Sequence, residues 1–218
     1  MAEDALVDTD ILLKVVSYRL AQASFAQIGA RGLSPRVLGA ARFMLATHVA
    51  RARRIADPAA AAAELAAIEP LLNAIEPTAE ETTLAADIEA LAQSLGVPVD
   101  GGESQLLAIL MSRSSSLMIS GDKRAVAAIA SMLTPLPPNR VACLEQLLGC
   151  LVEALGGRAV RAAICSEPRV DKSLTSAAGC SSQTADIEAG LGSYVESLRR
   201  EAPALLCPGS TLPGSHSL

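Results

Sequence analysis

A chain of 218 residues, half of them apolar and 19% charged, can bury one sizeable core with an extension or two smaller cores, which excludes global disorder. With two tyrosines, two phenylalanines and no tryptophan, it is too poor in aromatics for the base-stacking surfaces of RRM or OB type. No apolar run reaches the roughly 18–20 residues of a membrane helix, and the acidic opening Met-Ala-Glu-Asp lacks the basic region of a secretory signal. Five cysteines at irregular spacings do not suggest a disulfide framework. The expected setting is therefore a reducing cytoplasm, with no membrane partner.

The net charge of −5 conceals a segregated distribution. Residues 11–56 hold eight bases and no acid, whereas residues 57–103 hold ten acids and no base. Two helical layers that pair or solvate their charges would look like this. So would a basic face for a polyanion beside an acidic pocket.

In chain order, Leu6 and Val7 form a very short strand, and 11–25 reads as a helix with Asp8 or Thr9 as its N-cap. Gly29 and Gly32 end it. Ser34-Pro35 carries the cap-then-proline signal of a second helix over 35–54, and Asp57-Pro58 that of a third, to about 68. Residues 71–75 fit either a helix end or a short strand. Thr78 with Glu81 forms a capping box for a helix over 79–95, closed by Gly96. Asp100-Gly-Gly is a loop, and 103–111 is helical. Residues 116–120 make the clearest strand and 122–133 the helix after it.

This order, with strands much shorter than helices, predicts an α/β chain. A three-layer domain with a central parallel sheet spans 1–133, followed by a proline-rich linker at 134–138. A mainly helical region follows over 139–207, its first helix capped by Asn139, and then a disordered tail at 208–218.

Three acids stand at similar places. Asp8 and Asp122 each follow an apolar strand and precede a helix, and Glu103 opens a helix after Asp100-Gly-Gly. Ligands of open parallel sheets bind beyond the carboxyl ends of the strands. If the two strands are neighbours, Asp8 and Asp122 face each other there. Carboxylates so placed raise one another's pKa or take up a cation, and hard oxygen donors suit Mg²⁺ or Mn²⁺. Such ions support phosphodiester hydrolysis. Taken singly, each acid is also explained as a helix cap or a first-turn charge.

Leu6-Val-Asp-Thr-Asp-Ile-Leu-Leu13 resembles the opening motif of PIN domains. Gly102-Glu103-Ser104 followed by Leu106-Leu-Ala-Ile-Leu110 is similar to their Gly-Glu helix, and 117–123 to their closing strand. The resemblance covers about residues 4–133. It implies an α/β/α fold and metal-dependent ribonuclease activity on RNA, often in toxin–antitoxin pairs. Carried over, it makes Asp8, Glu103 and Asp122 both catalytic residues and ligands of Mg²⁺ or Mn²⁺. It also suggests an antitoxin-like protein partner, while the leucine stripe of the region after 138 fits a cover for the core, a homodimer face or a partner site.

The chain departs from that pattern in one respect. The family's helical glutamate has no counterpart in residues 11–56, and Arg42 stands near its expected place, where an arginine either pairs with Asp8 or Asp122 in place of a metal's charge or binds a phosphate. The alternative is thus a degenerate PIN-like module that binds without cleaving. Asp10, Asp87 and Asp100 are substitutes that spacing does not distinguish. Phosphate contacts are expected from Arg42, Arg51, Arg53, Arg54 and Lys123, with Arg124 beside it. Cys143 and Cys150 read as buried small hydrophobes, not zinc ligands. His48 reads as part of a solvated face or as an RNA contact.

Overall fold

The computed structural model describes residues 3–51, 53–113, 116–132, 136–182 and 184–214, without the side chains of Arg42 and Ser116. The expected linker lies partly outside these residues, as does the end of the tail with His216. Five strands form one all-parallel sheet in the order β3-β2-β1-β4-β5. They are β1 (Glu3–Val7), β2 (Leu33–Leu38), β3 (Asn73–Ile75), β4 (Ser116–Ser120) and β5 (Val141–Cys143).

Helices cover both faces. α1 (Thr9–Ser17) and α2 (Ala21–Ala30) follow β1. α3 (Gly39–Arg51) and α4 (Pro58–Ile68) lie between β2 and β3, followed by a 3-10 turn at Glu69–Leu71. α5 (Ala79–Leu95) and α6 (Gly101–Ser112) precede β4, and α7 (Lys123–Met132) follows it. Four more close the chain: α8 (Leu144–Leu155), α9 (Gly157–Ser166), α10 (Lys172–Ala177) and α11 (Ile187–Glu201).

Strand periodicity explains the layers. Side chains alternate across a sheet, so β1 sends Ala5 and Val7 to one core and Leu6 to the other. Likewise Leu117 and Ile119 of β4 oppose Met118, and Ala142 of β5 opposes Val141 and Cys143. The first core is closed by α1, α2 and α8, the second by α5, α6, α7 and α11. This is the expected three-layer α/β/α arrangement. No helix among the described residues is long and apolar enough to cross a membrane.

Several local expectations give way to tertiary packing. Residues 33–38 form a strand, not the start of a helix, despite the Ser34-Pro35 signal. Val37 and Leu38 point into opposite cores, which a strand permits and the expected amphipathic helix does not. Pro35 pairs opposite Ala5, where β3 does not yet flank β2, since β3 begins opposite Arg36. A proline is tolerated in such an edge-like place. The helix expected over 11–25 is broken at Arg19, a non-glycine residue at φ 58°. Its guanidinium pairs with the buried Glu167 at 3.2 Å, a tie that offsets part of the backbone strain.

The last third is mainly helical, as expected, but it belongs to the same sheet and cores. Residues 141–143, expected to be helical, instead form β5 beside β4. The tail is packed as far as residue 214. Leu206 bridges Val141, Leu212 is buried, and Gln146 donates to the carbonyls of Cys207 and Gly209, each at 3.1 Å. Cys165 and Cys180 form a disulfide, against the expectation that the cysteines would be unpaired, while Cys143, Cys150 and Cys207 are free and buried.

A chain ending at Pro138 is therefore expected not to fold. It loses β5 and the fully buried Leu147, Leu148 and Leu151. In the full chain Leu148→Ala should cost about 2–5 kcal/mol. Thermal melting by circular dichroism tests both; a cooperative melt of the truncated chain would contradict this packing.

Candidate functional site

Val7 of β1 pairs with Ile119 of β4, and the Asp8 N–H donates to the Ile119 carbonyl at 3.1 Å. Asp8 and Asp122 thus leave adjacent strands at the same edge of the sheet. Both border one open cleft of about 1540 Å³, with Glu103, Asp10 and Asp100. The expectation that the three acidic segments share one pocket is met at this level. Of the substitutes weighed, Asp10 and Asp100 line the cleft; Asp87 is not among its lining residues.

Each acid also has a local structural role. Asp122 Oδ1 accepts from the N–H groups of Arg124 and Ala125, at 2.8 and 3.3 Å, and so caps α7. Asp100 accepts from the Glu103 N–H at 2.9 Å, and Glu103 Oε2 accepts from the Asp100 N–H at 3.0 Å. This is a capping box. Asp8 sits at the N-cap position of α1, but its side chain makes no capping hydrogen bond.

A comparison inside the molecule separates local role from surroundings. α5 starts with the same capping box as α6, built from Thr78 and Glu81. Glu81 is also buried, yet Arg113 binds both its oxygens, at 2.8 and 2.7 Å. That pairing holds its carboxyl below the ordinary range. Glu103, equally capped, faces acids instead. Burial lifts its carboxyl to about 8, against the Asp100 N–H hydrogen bond and with help from the charges of Asp100, Asp8 and Asp122. Burial, then Asp10 and Asp100, lifts Asp8 to about 6. Among the described residues neither Asp8 nor Glu103 forms an ion pair.

Other charges nearby are committed. Lys14 reaches Asp10 at 2.6 Å and Asp171 at 2.8 Å, and donates to the Gly121 carbonyl at 3.4 Å. Burial opposes charge on Asp171, but Lys14 and the hydrogen bonds from Ser173 and Leu174 outweigh it and hold its carboxyl far below the usual range. A Cβ at Gly121 would meet the Asp10 carboxylate, so a larger residue there must displace that side chain from Lys14. Lys123 borders the cleft, but its ammonium is paired with the buried Glu145 and lies 4.8 Å from the Tyr194 ring centre.

The expected phosphate contacts are dispersed. Arg54 lines the cleft, and so does Arg124, which is exposed and 3.6 Å from Asp122. Arg53 and Arg54 flank a smaller neighbouring pocket of about 270 Å³. Arg51 is exposed but lines neither. The side chain of Arg42 lies outside the described residues. His48 borders the cleft and is exposed. Sequence reasoning missed Asp171, Arg169 and Lys172, which reach the cleft from the last third of the chain. No motif marked them; only the tertiary fold brings them there.

The donor set suits a hard divalent cation in chemistry: buried carboxylates without a cationic partner among the described residues. As the side chains stand, no three His, Cys, Asp or Glu groups among the described residues are close enough to hold one ion. No family model matches the chain, and neither a curated protein nor a solved structure matches it.

The two raised carboxyls give the fold a pH dependence. A proton held by the folded chain but released on unfolding favours the folded state at low pH. For Asp8 and Glu103 that contribution fades as pH climbs through about 6 and about 8. In chelator, the melting temperature should fall from about pH 4 to about pH 8 and level off above that. Glu103→Gln, which keeps the cap acceptor, should flatten the upper part of that fall and gain on the order of 4 kcal/mol at pH 9. Parallel profiles for variant and wild type would contradict the raised Glu103 carboxyl.

Proposed function

We propose that the chain is a PIN-like, Mg²⁺- or Mn²⁺-dependent ribonuclease that hydrolyses RNA phosphodiester bonds at the acidic cleft. One observation carries this reading: Asp8 and Glu103 are buried beside Asp122 at the carboxyl edge of β1 and β4, with no ion-pair partner among the described residues. The PIN-like motifs of the sequence point to the same three residues. Asp8, Glu103 and Asp122 would hold the cation. When bound, it supplies charge neutralisation and activation of water. Glu103 and Asp122 also fix the starts of α6 and α7, so the carboxylates are positioned by backbone, not only by side-chain packing.

Arg54 and Arg124 border the same cleft and supply positive charge for a phosphate backbone. A toxin-like role with an antitoxin-like protein partner extends this reading on the strength of the resemblance alone. A cytoplasmic setting extends it too, under one condition. Disulfides in most cytosolic proteins are transient, so the Cys165–Cys180 bond must then form and break with the redox state.

The second reading is a module that binds RNA or a protein without cleaving. The absence of any acid from residues 11–56 favours it, since that stretch should supply the family's glutamate. Arg42→Glu would restore an acid there, and in this reading it creates metal affinity.

Cleavage of a mixed RNA pool with Mn²⁺ separates the two readings. In the first, Asp8→Asn and Asp122→Asn each lower the rate on the order of 10²-fold, the scale of removing one preorganised electrostatic group. Both variants should still melt cooperatively. Equal rates in wild type and both variants would overturn the nuclease reading.

A further inference from the structure

The segment between the disulfide cysteines forms a wall of the cleft that the PIN-like motifs do not include. Arg169, Asp171 and Lys172 all line the cleft, although they lie some way along the chain from Asp122. The segment is fixed at several points. Cys165 and Cys180 close it into a loop. The buried Glu167 accepts from the N–H groups of Ala56 and Asp57, at 2.5 and 3.1 Å, and pairs with Arg19. Asp171 pairs with Lys14 and accepts from the Ser173 N–H at 2.8 Å.

These ties leave an asymmetry of charge. Both acids of the segment are consumed by Lys14 and Arg19. Its two cations, Arg169 and Lys172, are exposed and have no acidic partner among the described residues. Arg54 and Arg124, also exposed, border the same cleft. The cleft therefore has an acidic floor at Asp8 and Glu103 and a basic rim. A polyanion is repelled by such a floor and attracted by such a rim, so contact at several spaced phosphates favours a strand over a single small anion.

Resting on the ribonuclease reading, we infer that this disulfide-closed segment is a substrate-binding wall, in which Arg169 and Lys172 take backbone phosphates of an RNA strand in the cleft. The two side chains are positioning and binding residues, not catalytic ones. Being exposed, they can be changed without disturbing the core.

The test is binding of a fluorescent single-stranded oligoribonucleotide to the oxidised full chain in chelator, where cleavage is suppressed. Anisotropy is followed from 50 to 200 mM salt. Losing two phosphate contacts should lower the slope of log affinity against log salt by about 1.4, at about 0.7 per phosphate. For Arg169→Glu/Lys172→Glu the loss of affinity relative to wild type should thus be about sevenfold larger at 50 mM than at 200 mM salt, with an unchanged melting temperature. Arg158→Glu, exposed and outside the cleft, should bind as wild type does. Equal affinity and slope for the double variant and wild type would overturn the wall while leaving the cleavage reading standing. If wild type binds no RNA, both fall. If it binds through the wall but does not cleave with Mn²⁺, only the nuclease reading falls.

Discussion

The parallel pairing of β1 with β4 is the constraint on which the rest depends. It joins Asp4–Val7 to Ser116–Ile119, more than a hundred residues apart in sequence. Only that pairing puts Asp8 and Asp122 at one edge, and the returning α5–α6 pair brings Glu103 to the same cleft. Closing so long a loop costs entropy. The alternating burial of Ala5, Val7 and Leu6 against two separate cores offsets it. Once the sheet is made, the cleft at its carboxyl edge follows from topology.

The site then shows how one local motif acquires two meanings. Glu81 and Glu103 occupy the same capping-box position at the starts of neighbouring helices. At Glu81 the third partner is a guanidinium, and the carboxylate is a structural anchor. At Glu103 the neighbours are Asp8, Asp100 and Asp122, and the same carboxylate resists ionisation. Capping alone therefore does not explain Glu103. An acid used only as a cap needs no crowd of other acids, and burying it among them costs stability. That cost is the physical argument behind the proposed cation.

How much of this could be read from the sequence depended on how local the cause was. The cap at Thr78, the αL glycine Gly96 and the strand 116–120 are decided by adjacent residues, and all were readable. So was the shared cleft of the three acids, because motif order carried it. Ser34-Pro35 misled, since a cap-and-proline signal is overridden when the following residues must reach two cores at once. β5 was hidden because Val141-Ala-Cys143 runs into a leucine-rich helix without a break. Arg19 gave no warning of its positive φ, and the pairing of Cys165 with Cys180 needs the turn through α10. Arg169 and Lys172 carry no motif and reach the cleft only through the tertiary fold.

The central claim is that Asp8 and Glu103 together form a cation site whose countercharge is a divalent metal. Calorimetric titration of the full chain with Mn²⁺ near neutral pH tests it most directly, alongside Asp8→Asn and Glu103→Gln and with melting curves to show all three are folded. The account predicts saturable binding to wild type, weakened at least tenfold in each variant. No binding to wild type at millimolar Mn²⁺, or equal binding to all three proteins, would contradict it.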